Sequence, residues 1–539
     1  MKSSTHPPFR LLLLTALLCS SCVKQLLPGN SMSDPAISGE TRVKELLSHL
    51  SQKPVESPQA AQAPEAGAKT SAPLSLSLQE AIVDGLSGNQ AFKVERFKPS
   101  LSQAHEEVER AAFDPLLTAT TGRIRGEGSA SALSHDLSTA GKLGEVDETR
   151  TGVGVKQLTT LGGSLEAKAV EDRQDLEDAQ DRHGVERSWD VTITQALLQG
   201  RGPDVTLARL RQSRLDTEMS LYELQGAAEA LVSQIEQGYW NFILARRALD
   251  IYRQSLAIAK AQTAEVMERI KLGGLAESEG AAAQAEQAAR YQQTVAAEGA
   301  LAKAKLNLLR LVNPNGHPDW QADIEPADAP ELPDLALDKV DSHVALALAR
   351  RPDLNQAKLM VQRREIEVVT TKNGLLPKLD LFVSLGGSHY SDSFLGQADN
   401  KGSQKLYGGG LTLSLPLGNR EAKARHAAAG WSLEQANAAL ANMEQLVQVD
   451  VRSAYVDVEQ AQAQAQAAAA TCALRQKTQE LEQEKFRLGR ATTLEVAQAQ
   501  RDLVTSQIAQ AQAVVGVRQA LVTLYRLEGS LLSHRGIVP

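Results

Sequence analysis

By type and spacing, the residues of this 539-residue chain that could do chemistry are ten histidines, three cysteines and a matched pair of glutamates. The histidines show no zinc-type spacing with Cys or Glu, and no glycine-rich phosphate loop follows a strand-like segment. Gly408-Gly-Gly410 stands at a strand entrance, where flexibility is the simpler explanation. Neither catalysis nor a cofactor or metal is expected. Cys472 falls on an apolar helical stripe and reads as a small buried thiol. Glu279 and Glu495 matter because they are the same position of an internal repeat. Thr492 precedes Glu495 by three residues, the spacing of a capping box, in which hydroxyl and carboxylate each accept a backbone N–H of the helix start.

The elements that must position these residues are long helices present twice. Residues 224–311 return at 440–527 with a constant shift of 216 and no gap: Tyr239 as Tyr455, Leu272-Gly273 as Leu488-Gly489, Ala283-Gln284 as Ala499-Gln500, Arg310-Leu311 as Arg526-Leu527. Solenoid and propeller units run about 20–50 residues, so a period this long is a doubled domain half. From Leu224, steps of four and three meet Ala228, Leu231, Ile235, Gly238, Phe242, Ala245, Leu249, Tyr252, Leu256, Ala259, Thr263, Val266 and Ile270, a heptad seam. The second copy keeps it more weakly through Leu440, Val447, Val451, Ala454, Val458, Ala461, Ala465 and Ala468. The first long helix is expected over about Leu198–Lys271, roughly 74 residues or ~110 Å. Its return after Gly273-Gly274, about Ala276–Val312, and the helix at about Gln79–Ala112 together match its length. In the second half about Asn419–Leu488 is matched by about Asp341–Gly374 and Thr493–Glu528. Each half therefore reads as one long helix against two short ones stacked end to end.

The N-terminus predicts export. Lys2 and Arg10 precede an apolar run, Leu11–Leu18, too short to span a membrane. Ser20-Ser21-Cys22 resembles a lipoprotein box, which makes Cys22 the expected lipidation site; ordinary cleavage without lipid is the alternative. Val23 after the cysteine favours the outer membrane by the same resemblance. Removing the signal leaves Cys22 and Cys472, so no disulfide framework is expected. Residues 23–75, rich in Ser, Pro, Ala and Gln, read as a disordered tether with a possible short helix at Thr41–Gln52. The net charge of −8 argues against a nucleic-acid partner.

Strand-like segments lie between the short and long helices of each half. Leu379, Leu381, Val383 and Leu385 alternate with Asp380, Phe382 and Ser384, and Leu411 to Leu417 alternates likewise. Trp189, Val191 and Ile193 alternate with polar residues, and a less regular strand is expected at Leu116–Arg125. Such alternation suits a transmembrane barrel. Four strands cannot close alone, so an oligomer must complete it.

The Leu411-Thr-Leu-Ser-Leu-Pro-Leu417 strand end, Arg351-Pro-Asp-Leu354 followed by Leu375-Leu-Pro377, and Arg487-Leu-Gly489 before Thr492-Thr-Leu-Glu495 resemble the TolC-like outer membrane efflux proteins over roughly residues 76–530. The resemblance implies a mainly α fold with a β-barrel contribution. It implies a homotrimer whose strands share one outer-membrane barrel and whose helices form a periplasmic tunnel. It also implies a passive duct, not an enzyme, that docks a periplasmic adaptor and serves an inner-membrane pump. The domains are then 1–22 signal peptide, 23–75 tether, 76–312 first repeat, 313–340 Pro-rich equatorial linker, 341–530 second repeat and 531–539 tail. Leu272, Gly273, Gly274, Leu488, Gly489 and Arg490 become the expected adaptor-docking turns, and Glu279 and Glu495 a candidate acidic gate ring against their plain reading as helix caps. The rival is a coiled-coil stalk lipoprotein, which has no use for amphipathic strands. Between Gly126 and Trp189 the chain departs from the simplest pattern: Val153 and Val155, the turn Thr160–Gly163, then Leu165, Ala167 and Ala169 form an extra hairpin that either enlarges the barrel or lies over it.

Overall fold

The structure is a computed structural model describing residues 74–129, 143–177, 182–273, 275–312, 320, 323–329, 331–333, 337–391 and 404–537. Cys22, the tether helix at 41–52 and Gly274 lie outside these residues. All that follows concerns the unit formed by residues 66–537.

After the short strand β1 (Leu74–Leu76), Ser77 opens α1 (Leu78–Gly88) with a capping box: the Glu80 N–H donates to its hydroxyl, and its own N–H donates to the Glu80 carboxylate at 2.9 Å. The helix expected over 79–112 breaks at Asn89. This residue adopts an extended backbone and caps α2 (Gln90–Ala111) by accepting the Phe92 N–H at 3.1 Å. The second copy breaks at the equivalent point. Arg351 is extended because it precedes proline, which separates α6 (Val340–Arg350) from α7 (Pro352–Asn373).

The first long helix starts ten residues later than expected. Gly200 and Gly202 adopt φ +84° and +91°, and the single turn α3 (Pro203–Thr206) intervenes before α4 (Ala208–Lys271). α5 (Glu277–Val312) returns along α4. In the second half α8 (Arg420–Arg487) is followed by α9 (Thr493–Leu527). α4 lies against α1, α2 and α5, and α8 against α6, α7 and α9, so one long helix carries stacked short ones in both halves. α4 also packs on α7 and α9, joining the halves. The expected seam is the core: Ala228, Leu231, Ile235, Phe242, Leu249, Leu256, Ala259 and Val266 are buried, as are Val447, Val451, Ala454, Val458, Ala465 and Cys472. α8 carries a second apolar stripe on its opposite face. Trp431, Val449, Val456, Leu474 and Leu481 align at about 100° per residue, and all are exposed.

At the equator β1 pairs in parallel with β6 (Ile324–Pro326), which sequence reading had left as linker. The buried Tyr239 hydroxyl lies 2.9 Å from the Leu76 carbonyl oxygen and 2.9 Å from the Asp328 carboxylate, tying that pair to α4. The C-terminal turn α10 (Leu531–His534) buries Leu531 and Leu532. Arg535 beyond it grips Glu236 of α4 through two hydrogen bonds, of 2.7 and 2.5 Å.

The strands form one antiparallel sheet in the order β2 (Leu116–Ser129), β3 (Leu143–Leu158), β4 (Gly163–Glu177), β5 (Arg182–Ala196), β7 (Lys378–Ser391), β8 (Gln404–Ser414). β3 and β4 are the extra hairpin, and they sit in line within the sheet. Register places Leu117, Val155, Ala167, Val191, Leu385 and Tyr407 in a single row across all six strands on one face. The adjacent row on the other face is Leu116, Lys156, Glu166, Thr192, Ser384 and Gly408. Two expectations are corrected. β8 ends at Ser414, short of Leu417, because Pro416 has no N–H for the ladder. Gly408–Gly410 lies inside β8 and is no entrance: a Cβ on Gly410 would come within 2.8 Å of the Phe382 ring that covers it.

Candidate functional site: the hairpin tips

Of the expected site residues, Leu272, Gly273, Glu279, Leu488, Gly489, Arg490 and Glu495 stand at or next to the α4–α5 and α8–α9 turns. Each long helix ends the same way. The N–H of Leu272 donates to Glu268 O at 3.1 Å and that of Gly273 to Ile270 O at 3.0 Å, and Leu488 and Gly489 repeat both bonds on Glu484 and Phe486. Gly273 and Gly489 both take φ +70°, the left-handed cap that glycine adopts without strain. In the second turn Arg490 N–H closes a further bond to Lys485 O at 2.7 Å. The turn leucines are left in solvent: Leu272 is 80% exposed and Leu488 71%.

Glu495 is exposed and completes the capping box. The Thr492 N–H donates to its carboxylate at 2.7 Å, and its own N–H donates to Thr492 Oγ1 at 3.3 Å. The Thr492 N–H, then the Thr492 hydroxyl, hold this carboxyl below the usual range. Glu279 is half-buried and serves differently: it accepts the hydroxyl of Thr493 and so joins the two hairpins.

Sequence reading missed the rest of that joint. Arg501 of α9 donates to Glu286 of α5 at 2.8 Å, and Glu286 also pairs at 2.7 Å with buried Arg290 one turn on. The guanidinium of Arg269 stacks 5.1 Å from the Phe486 ring centre, linking α4 to α8. The available signal was Glu286 and Arg290, charges at i,i+4 spacing interrupting an Ala/Gln-rich face. Phe486 and Arg501 gave none, because the repeat has Ile270 and Ala285 at those places. A cleft of about 80 Å³ lies between the hairpins, lined by Val266, Ala282, Phe486, Val496 and Arg501 among others. A drug-sized ligand needs roughly 300 Å³ or more, so the cleft is too small to hold one. Among the described residues no group of His, Cys, Asp and Glu is arranged to hold a metal, and no helix is long and apolar enough to cross a membrane.

Residues 344–530 match the family model described as outer membrane efflux protein. Similar solved structures include a membrane protein from Pseudomonas aeruginosa, 21% identical with a TM-score of 0.62 over 84% of this chain and 93% of that one. The Campylobacter jejuni CmeC outer membrane channel is 15% identical with a TM-score of 0.64 over 89% of this chain and 94% of that one. The open state of the Neisseria gonorrhoeae MtrE outer membrane channel is 17% identical with a TM-score of 0.60 over 84% and 89%. No curated protein matches the chain. The second repeat thus matches the outer membrane efflux protein family model, and over more than four-fifths of its length the chain has the fold of these solved outer-membrane channels.

Proposed function

We propose that the chain is the outer-membrane duct of a tripartite efflux or secretion system: a homotrimer that passively conducts substrates delivered by an inner-membrane pump through a periplasmic adaptor. The observation that carries this reading is the six-stranded sheet. Its apolar row is exposed at Leu117, Val155, Leu385 and Tyr407 and half-buried at Ala167 and Val191, and among the described residues its two outer strands, β2 and β8, pair on one side only. A bilayer tolerates no open sheet edge, so other copies must close it. The exposed stripe on α8 supports the same assembly below the barrel. A coiled-coil stalk would need no such sheet. The chain then works as a channel and not as an enzyme, with its helices reaching into the periplasm and Cys22 as the lipid anchor.

The turns around Leu272 and Leu488 are the docking end for the adaptor, with Gly273, Gly274, Gly489 and Arg490 shaping them. Glu279, through Thr493, and Arg501, through Glu286, hold neighbouring hairpins closed, and Glu495 caps its helix at the rim. The test combines mass measurement of the full-length protein in detergent, mass spectrometry of the mature N-terminus, planar-bilayer recording, and capture of a periplasmic adaptor. A trimer beginning at acylated Cys22 and conducting ions is expected. Replacing Leu272 and Leu488 with Ser should leave the trimer intact and lower adaptor affinity at least tenfold. A folded monomer in the membrane would refute the channel.

A further inference from the structure

We propose that the hairpin β3–β4 is a built-in part of the membrane wall, so that three copies close one eighteen-stranded barrel. This rests on the trimeric channel proposed above. Each copy supplies six strands, and three copies supply eighteen. At ~4.8 Å between strands and a tilt of ~40°, such a barrel is about 36 Å across between backbones, against about 24 Å for a twelve-stranded one at the same tilt.

Three observations carry the hairpin into the wall. The first is register: β3 is paired along its length with β2, and β4 with β5, so that removing the hairpin would leave a gap two strands wide. The apolar row also continues through Val155 and Ala167 without a break. A hairpin laid over the barrel would have neither property.

The second is the turn at its helix-side end. Gly202 N–H donates to Leu161 O at 3.1 Å, and Ala196 N–H to Gly162 O at 3.1 Å. The side-chain amide of Gln195 donates to Leu161 O at 3.0 Å, and that of Gln157 to Phe113 O at 3.2 Å. These bonds fasten the hairpin to both neighbouring junctions between helix and strand. Gly162 has φ +88°, and a Cβ there would stand 2.0 Å from Gly200 O, so the backbones meet at a distance only glycine allows.

The third is the opposite face, where Lys156, Glu166, Lys168 and Asp190 form a ladder of ion pairs 3.7–4.0 Å long across β3, β4 and β5. Lys156 and Glu166 stand next to Val155 and Ala167, towards the helix-side ends of β3 and β4, and charges at the level of the apolar row are costly towards lipid and suit a water-filled lumen. The hairpin therefore widens the barrel and lines the added arc with fixed charge. The widths of the two walls agree as well. Six tilted strands give about 38 Å of wall per copy. The four helices that each copy contributes to a tunnel cross-section give about 32–40 Å at 8–10 Å spacing.

The experiment is electron cryo-microscopy of the full-length protein in lipid nanodiscs, beside a variant lacking residues 143–181. In that variant β2 and β5 remain antiparallel and can pair. Eighteen strands are expected for the wild type and twelve for the variant, whose mouth should exclude neutral polyethylene glycols that enter the wild type from outside. In parallel, Lys168→Cys should react with a water-soluble, membrane-impermeant maleimide and Ala167→Cys only with a lipid-soluble one, whether or not the deletion variant folds. A conducting trimer with a twelve-stranded wild-type barrel, or equal labelling of both positions by the water-soluble reagent, overturns the inference and leaves the channel standing. Absence of any trimer removes both.

Discussion

At the scale of single residues, the buried carboxylates of α4 are the points of highest stake. Glu229 is 3% exposed, and desolvation pushes its pKa up to about 7, against the weaker opposing pull of Gln225, Arg526 and Arg351. A carboxyl whose folded pKa lies above its unfolded value binds its proton more tightly when folded. The stabilisation is complete below the unfolded value of 4.5, declines as pH rises towards 7, and is gone above it. Wild-type stability should therefore fall across that window by up to about 3 kcal/mol from this group. Glu229→Gln should flatten the decline, which thermal unfolding at a series of pH values reads directly. Glu236 is fully buried and depends on the Arg535 fork. Arg535→Ala leaves that charge without its partner and should cost about 3–5 kcal/mol. Joint replacement by Leu at 236 and Met at 535 should restore most of it, as chemical denaturation of the three proteins would reveal.

At the scale of elements, the two hairpins are built on one plan from two copies of one sequence, so they should respond alike. Gly273 and Gly489 share φ +70°, and a Cβ at either would meet nothing within 4 Å. Substitution by Ala is therefore opposed by backbone strain alone, of order 1–2 kcal/mol, with no clash added. Hydrogen exchange should show both tips opening faster in Gly273→Ala and Gly489→Ala by similar factors, with the distant sheet unaffected. A much larger effect at one tip would mean that the turns are not equivalent in the assembly.

At the scale of the whole molecule, one chain leaves two surfaces incomplete. Among the described residues the outer strands of the sheet pair on one side only, and α8 has an apolar stripe facing away from its own core. Val449 and Val456 lie one heptad apart in the middle of that stripe, exposed in the single chain. Burying a charge at such a place without a partner costs several kcal/mol per copy. Val449→Asp with Val456→Asp should shift the detergent-solubilised protein from trimer to monomer by mass, and changes at solvated Glu421 and Arg425, an exposed pair on the same helix, should not.

The sequence by itself determined the periodic elements of this protein. A heptad seam and alternating strands are local patterns, and burial follows directly from them, so the stripe from Ala228 to Val266 and the Leu381–Leu385 strand face stand where periodicity put them. The register of the 216-residue repeat located both turns, because left-handed glycines after a helix are readable one residue at a time. The tertiary structure decided what depends on residues far apart in the chain. Glu279 found Thr493, Arg501 found Glu286 and Glu236 found Arg535, at separations of 214 to 299 residues that no local pattern encodes. The break at Asn89 and the pairing of β1 with β6 depended on partners as well: β1 is only three residues long and gains its ladder from a segment about 250 residues away. The extra hairpin shows the division most clearly. Its alternation was legible, but alternation says only which side chains share a face. Whether such a hairpin joins the sheet or lies upon it depends on which backbone groups accept its N–H groups, and its place in the sheet was decided by β2, β5 and the Gly162–Gly200 contact.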